Sequence, residues 1–114
     1  EPDTAACVLA SLTADRPVTV STAATVMAGL NCGTISSSAW PVLRAGCDAA
    51  VAVSDDEALR AVDDLGRLGV SSGPSGAASL AGLRAALTDP QRRAALDLDH
   101  DAVVVLLSTE GHAR

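Results

Sequence analysis

A chain whose only aromatic side chain is Trp40, with no phenylalanine and no tyrosine, must build its core from small aliphatic groups. Alanine alone supplies 23 of the 114 residues. Alanine, valine and leucine each bury less apolar area than a ring does, so stabilisation per residue is small and a partner surface is expected to complete it. The length corresponds to one domain or part of one. A hydrophobic share of 48% excludes a disordered or collagenous chain. The absence of an uncharged apolar run near the roughly 18 residues needed for a span argues against a membrane chain.

The charged residues narrow the function classes. The formal charge is −6, with eight arginines, no lysine and no basic cluster. Nucleic-acid affinity rests on cationic side chains displacing counterions from phosphates, so a nucleic-acid partner is not expected. Without lysine, any chemistry that needs an amine nucleophile or a Schiff-base partner is closed to this chain alone. Cys7, Cys32 and Cys47 are odd in number, lack paired or metal-ligand spacing, and read as small buried hydrophobes in a reducing cytoplasm. The sequence opens at Glu1 without a methionine and is expected to be a piece of something longer.

Apolar spacing predicts a helix over 4–14 capped by Thr4, a short β-like run at 18–20, and a glycine-containing loop with a helical turn over 21–33. Serines 36–38 can cap a helix through Trp40 and Arg44 that Gly46 ends. DAAVAV at 48–53 has the uncharged character of an interior strand. Ser54 caps the clearest helix, 55–67, with Ala58, Leu59, Val62 and Leu65 on its apolar face. Asp56 with Arg60 and Asp63 with Arg67 form i, i+4 pairs on its solvated face. A loop from Gly69 leads to a helix beginning near Ser75, apolar all round between Ala77 and Leu87 and therefore expected to be buried. Asp89 and Pro90 open one more short helix, and AVVVLL at 102–107 reads as a second interior strand. The alternation of helix and strand is that of an α/β domain, with helices around a small, mostly parallel sheet.

Two bends could carry chemistry. GPSG at 73–76 precedes a helix whose free amides favour negative charge, although a capped helix start is the ordinary explanation of such a segment. Ser108, Thr109, Glu110 and Gly111 follow the last strand, where ligands gather in α/β sheets. Asp97, Asp99, His100 and Asp101 match no metal template and read as a polar approach to that strand; the expected metal set is none. No catalytic Ser/His/Asp or Cys/His arrangement is present to argue.

Taken together, EPDTAAC at the start, VMAGLNCGT at 26–34, AWPVL at 39–43, SGPSGAASLAGL at 72–83 and LLSTEG at 106–111 resemble the C-terminal part of the diaminopropionate ammonia-lyases. That family belongs to the tryptophan-synthase-β-like, fold type II pyridoxal-phosphate enzymes, alongside threonine and serine dehydratases. The resemblance implies that residues 1–114 are the C-terminal portion of a pyridoxal-phosphate-dependent carbon–nitrogen lyase. Such an enzyme eliminates ammonia from 2,3-diaminopropionate or a related amino acid to give pyruvate, works as a homodimer and takes a small amino-acid substrate. Its Schiff-base lysine and phosphate cup lie upstream, so the isolated chain is expected to be inactive and to need that missing N-terminal part as its partner. By the same resemblance Thr109, with Ser108, meets the pyridine nitrogen, while Gly29, Ser75 and Gly76 line the ring and substrate side.

A neutral hydroxyl cannot hold a pyridinium charge as a carboxylate does, which suits β-elimination over deeper carbanion chemistry. The sequence departs from the family at two places. Gly73, Pro74 and Ser75 stand where dehydratases, racemases and ammonia-lyases carry a glutamate in or before the turn, and Cys7 stands where the racemase-type cation site has an acidic residue. Three alternatives remain open at this stage: a dehydratase-type lyase segment, a stand-alone α/β ligand-binding or interaction module without chemistry, and a regulatory domain that binds an amino acid.

Overall fold

The structure, a computed structural model, describes residues 1–111; His112 lies outside the described residues. The elements in chain order are a 3₁₀ turn at Asp3–Ala5, α1 at Cys7–Ala14, a 3₁₀ turn at Ala28–Leu30, α2 at Trp40–Gly46, α3 at Asp55–Arg67, α4 at Pro74–Thr88 and α5 at Pro90–Ala95. No helix is long and apolar enough to cross a membrane among the described residues.

The helices fall where the spacing predicts, but the cap of the first does not. Thr4 caps nothing: its hydroxyl is buried without a partner. The Glu1 carboxylate instead accepts from the amides of Val8 at 2.7 Å and Leu9 at 2.9 Å, placing negative charge at the positive end of α1. Ser11, fully buried, accepts from the Val18 amide at 2.9 Å and pins the chain as it leaves α1. At α3 the capping box predicted from Ser54 forms: Ser54 Oγ accepts from the Glu57 amide, and the Glu57 carboxylate accepts from the Ser54 amide at 2.7 Å. Those bonds, led by the backbone one, hold Glu57 below the usual carboxylate range.

The charged face of α3 pairs differently from the i, i+4 expectation. Asp64 accepts from both Arg67 and Arg84, each at 2.7 Å, so its partners lie on the next turn and on α4. The hydrogen bond from Arg84 is the main cause that holds Asp64 below the usual carboxylate range. The buried face is also shifted: Ala58 and Ala61 are fully covered while Leu59 is 43% exposed. The reason is the partner, for α3 packs on α4 through alanines, and Ala58, Ala61, Ala77, Ala78 and Ala81 make one core with Val53 and Met27. Small side chains let two helix backbones approach closely, so the seam follows alanine and leaves the larger leucine at its rim.

No strand forms among the described residues, so the expected small parallel sheet is not seen within them. One isolated parallel bridge joins Pro2 to Val53, and otherwise the runs 18–20, 48–53 and 102–107 have no ladder partners. A strand is defined by its neighbour's hydrogen bonds and not by its own composition. AVVVLL is accordingly open, with Val103 91% and Leu107 75% exposed. The expectation for α4 is met in part: Gly76, Ala77, Ala78, Ala81 and Ala86 are buried, whereas Arg84, Leu87 and Thr88 are exposed. Of the cysteines only Cys7 is buried; Cys47 is half-buried and Cys32 exposed, which corrects the uniform expectation. Burial, with Cys32 nearby as the next cause, pushes the Cys7 thiol up.

Candidate functional site

Three stretches far apart in sequence meet at the N-terminus of α4. Gly73 is its N-cap, so the helix begins one residue before Ser75, and the cap offers no side-chain oxygen of its own. Ser75 instead turns its hydroxyl outward and accepts from the Gly29 amide at 3.1 Å, bringing MAGL against GPSG. Met27, two residues earlier and fully buried, anchors that loop in the alanine core. Thr25 and the amide of Val26 both donate to the Asp55 carboxylate, tying the same loop to the first turn of α3.

The second bend closes from the other side. Ser72 is fully buried, and its Oγ lies 2.7 Å from Ser108 Oγ. The Gly73 amide donates to the Glu110 carbonyl at 3.1 Å. Glu110 Oε2 accepts from the amides of Ser75 at 2.8 Å and Gly76 at 3.3 Å. The acceptor at the helix start is thus a carboxylate of the chain itself. Glycine is required at this approach: a Cβ on Gly76 would stand 2.6 Å from the hydroxyls of both Ser72 and Ser108.

Of the residues singled out from the sequence, Gly29, Ser75, Gly76 and Ser108 converge on this one surface. Thr109 sits between Ser108 and Glu110 in the same segment and is exposed. Glu110 is named from the sequence only as part of its bend, with no role, and Ser72 is not named at all. The signal for Glu110 was present in the pairing of a capless Gly-Pro start with a free carboxylate in STEG, but that pairing exists only once the two segments meet.

A family profile for pyridoxal-phosphate dependent enzymes matches residues 1–110. The diaminopropionate ammonia-lyase of Escherichia coli (strain K12) is 36% identical over 120 residues, which cover 97% of this chain and 30% of that protein. The chain therefore spans about a third of the length of the curated relatives it matches. Among solved structures, a T.th. threonine deaminase superposes with a TM-score of 0.71 at 27% identity, over 77% of this chain and 32% of that one. Maize serine racemase gives 0.67 at 30% identity, over 72% of this chain and 26% of its own. A serine racemase from Dictyostelium discoideum gives 0.76 over 100% of this chain and 34% of that one; at 23% identity it bears on the fold alone.

The donor set at the bend fits one part of pyridoxal phosphate. Ser75, Ser108 and Thr109 offer neutral hydroxyls, which can meet the edge of a pyridine ring as donor or acceptor. The amides at the start of α4 are already bound to Glu110, so the phosphate must find its donors elsewhere. With a profile matched along residues 1–110 and α/β relatives superposing on most of its length, this chain belongs to the fold type II pyridoxal-phosphate-dependent enzyme family.

Proposed function

We propose that the chain is the carboxyl-terminal wall of the cofactor pocket of an ammonia-lyase that converts 2,3-diaminopropionate, or a closely related amino acid, to pyruvate and ammonia. The observation that carries this reading is the convergence of Gly29, Ser75, Gly76 and Ser108 at one end of α4. When bound, pyridoxal phosphate supplies the electron sink that stabilises negative charge at the α-carbon of an amino acid. The chain's own part is to orient and to exclude water. Ser108, fixed by Ser72, and Thr109 present uncharged oxygens to the ring nitrogen, and Gly29 and Ser75 border the substrate side. An uncharged contact leaves the ring a moderate sink, adequate for losing a β-amino group.

The Schiff-base lysine comes from the remaining part of the polypeptide, and the extended runs 48–53 and 102–107 join its mostly parallel sheet. That union covers the open valines and leucine of 103–107, and a second copy of the enzyme completes a homodimer in the cytoplasm. The isolated chain is inactive. The likeness to a threonine deaminase supports a second reading, a dehydratase acting on serine or threonine.

Expression of the full reading frame and assay of pyruvate and ammonia release from 2,3-diaminopropionate, serine and threonine separates the two. Preference for the diamino acid is expected. Turnover confined to the hydroxyamino acids establishes the dehydratase, and an absence of visible absorbance from bound pyridoxal phosphate refutes both.

A further inference from the structure

We infer that Glu110 is a positioning residue: by binding the free amides of α4 it locks segment 108–110 against that helix and sets the Ser108 hydroxyl at the pocket face. The inference rests on the pocket assignment proposed above.

α4 starts with Gly73 and Pro74, has no side-chain cap and carries no acidic residue in its first turn. Its orphan amides need an acceptor, and Glu110 provides two from one residue. The Glu110 carbonyl accepts from Gly73 at 3.1 Å, while its carboxylate accepts from Ser75 at 2.8 Å and Gly76 at 3.3 Å. Main chain and side chain of Glu110 are thereby held together, which restrains the backbone of the segment as well as the carboxylate. Ser108 lies two residues earlier on this segment, with its hydroxyl 2.7 Å from that of the buried Ser72.

Among the described residues, nothing comparable holds the chain just before it. Val103, Val105 and Leu107 are 91%, 79% and 75% exposed, so docking of the whole stretch is concentrated at 108–110. The fit is also steric. A Cβ on Gly73 would meet Glu110 Oε2 at 2.5 Å, and one on Gly76 would meet Ser108 Oγ at 2.6 Å. The two glycines therefore admit both the carboxylate and the hydroxyl it positions. Charge-assisted bonds to backbone amides are stronger than neutral ones, so losing them releases the segment.

The test uses the full-length protein with Glu110→Ala, Glu110→Asp and Glu110→Gln. Glu110→Asp keeps the charge but shortens the reach, and Glu110→Gln keeps the reach and an acceptor oxygen. Amide hydrogen exchange at Ser75 and Gly76 is followed together with the circular dichroism and affinity of bound pyridoxal phosphate. Glu110→Ala and Glu110→Asp are expected to speed exchange at both amides, reduce the cofactor dichroism and weaken its binding about tenfold. Glu110→Gln restores most of each. Should Glu110→Ala fail to fold, Glu110→Asp decides. Wild-type exchange in Glu110→Asp, or altered exchange and lower stability with wild-type dichroism and affinity, overturns the positioning role. A wild-type protein that takes up no pyridoxal phosphate overturns the pocket assignment and this role with it, while faster exchange in Glu110→Ala still identifies the cap.

Discussion

Ser72 and Ser108 stand 36 residues apart in sequence and 2.7 Å apart between hydroxyl oxygens. One is fully buried and the other faces outward, so the pair joins the interior of the molecule to its proposed pocket. Removing Ser108 Oγ leaves the buried Ser72 hydroxyl with its bond to the Gly73 carbonyl but without its cross-segment partner. Ser108→Ala is expected to lower stability by about 1 kcal/mol and to weaken cofactor binding more than Thr109→Val does, because Ser108 is pre-oriented. Urea unfolding and a pyridoxal-phosphate titration of the full-length protein check the two halves of this statement.

In the proposed pocket, Thr109→Asp would set a carboxylate beside the ring nitrogen and stabilise its protonated form. In the assembled enzyme Thr109→Asp is expected to slow elimination by at least tenfold. Unchanged turnover of the diamino acid would remove the neutral-contact argument for this position.

Glycines 76 and 82 lie on the same helix and should respond oppositely to alanine. At Gly82 an added Cβ meets nothing within 4 Å, so Gly82→Ala is expected to stabilise by about 0.5–1 kcal/mol through helix propensity. At Gly76 the added carbon meets two hydroxyls at 2.6 Å, and overpacking should cost about 1–3 kcal/mol. Melting the two variants side by side decides the matter, and equal gains would contradict the close approach of Ser108.

The Ser54–Glu57 box gives a pH signature. Glu57 is held below its ordinary pKa of 4.5, chiefly by the backbone bond from Ser54, so the stability it contributes is present above that value and is lost as pH falls through the lower folded value. Ser54→Ala should therefore cost about 1 kcal/mol near neutrality, and the gap to wild type should narrow below about pH 4. A gap that stays constant into acid would show that the carboxylate takes no part.

Met27 is the largest fully buried side chain and bridges the MAGL loop to the α3–α4 seam. Met27→Ala is expected to cost about 2–5 kcal/mol, with the loop's contact to Ser75 loosened as well. Thermal unfolding combined with amide exchange at Gly29 measures both effects.

The residues of α3 show how far local signals reach. Ser54, the acidic first turn and the recurrence of apolar positions lie within one segment, so the helix and its cap were legible from spacing alone. The same holds for Pro41 in the first turn of α2 and for Asp89 capping α5, since each involves bonds across only a few residues. Partners across the fold were not legible. Leu59 sits at the rim because α4 presents alanines, Asp64 takes Arg84 from the other helix, and Thr4 yields its expected role to Glu1.

Composition and spacing determined an alanine-built core, the positions of the helices and polar segments at 73–76 and 108–111. Only the tertiary structure decided that these bends touch, and that Glu110, not Ser75, supplies the acceptor for the helix start. It also left AVVVLL without a ladder among the described residues. The physical reason is common to all three: a cap within a segment is fixed by its own chain geometry, whereas a bond between segments depends on which surfaces the packed helices bring within reach.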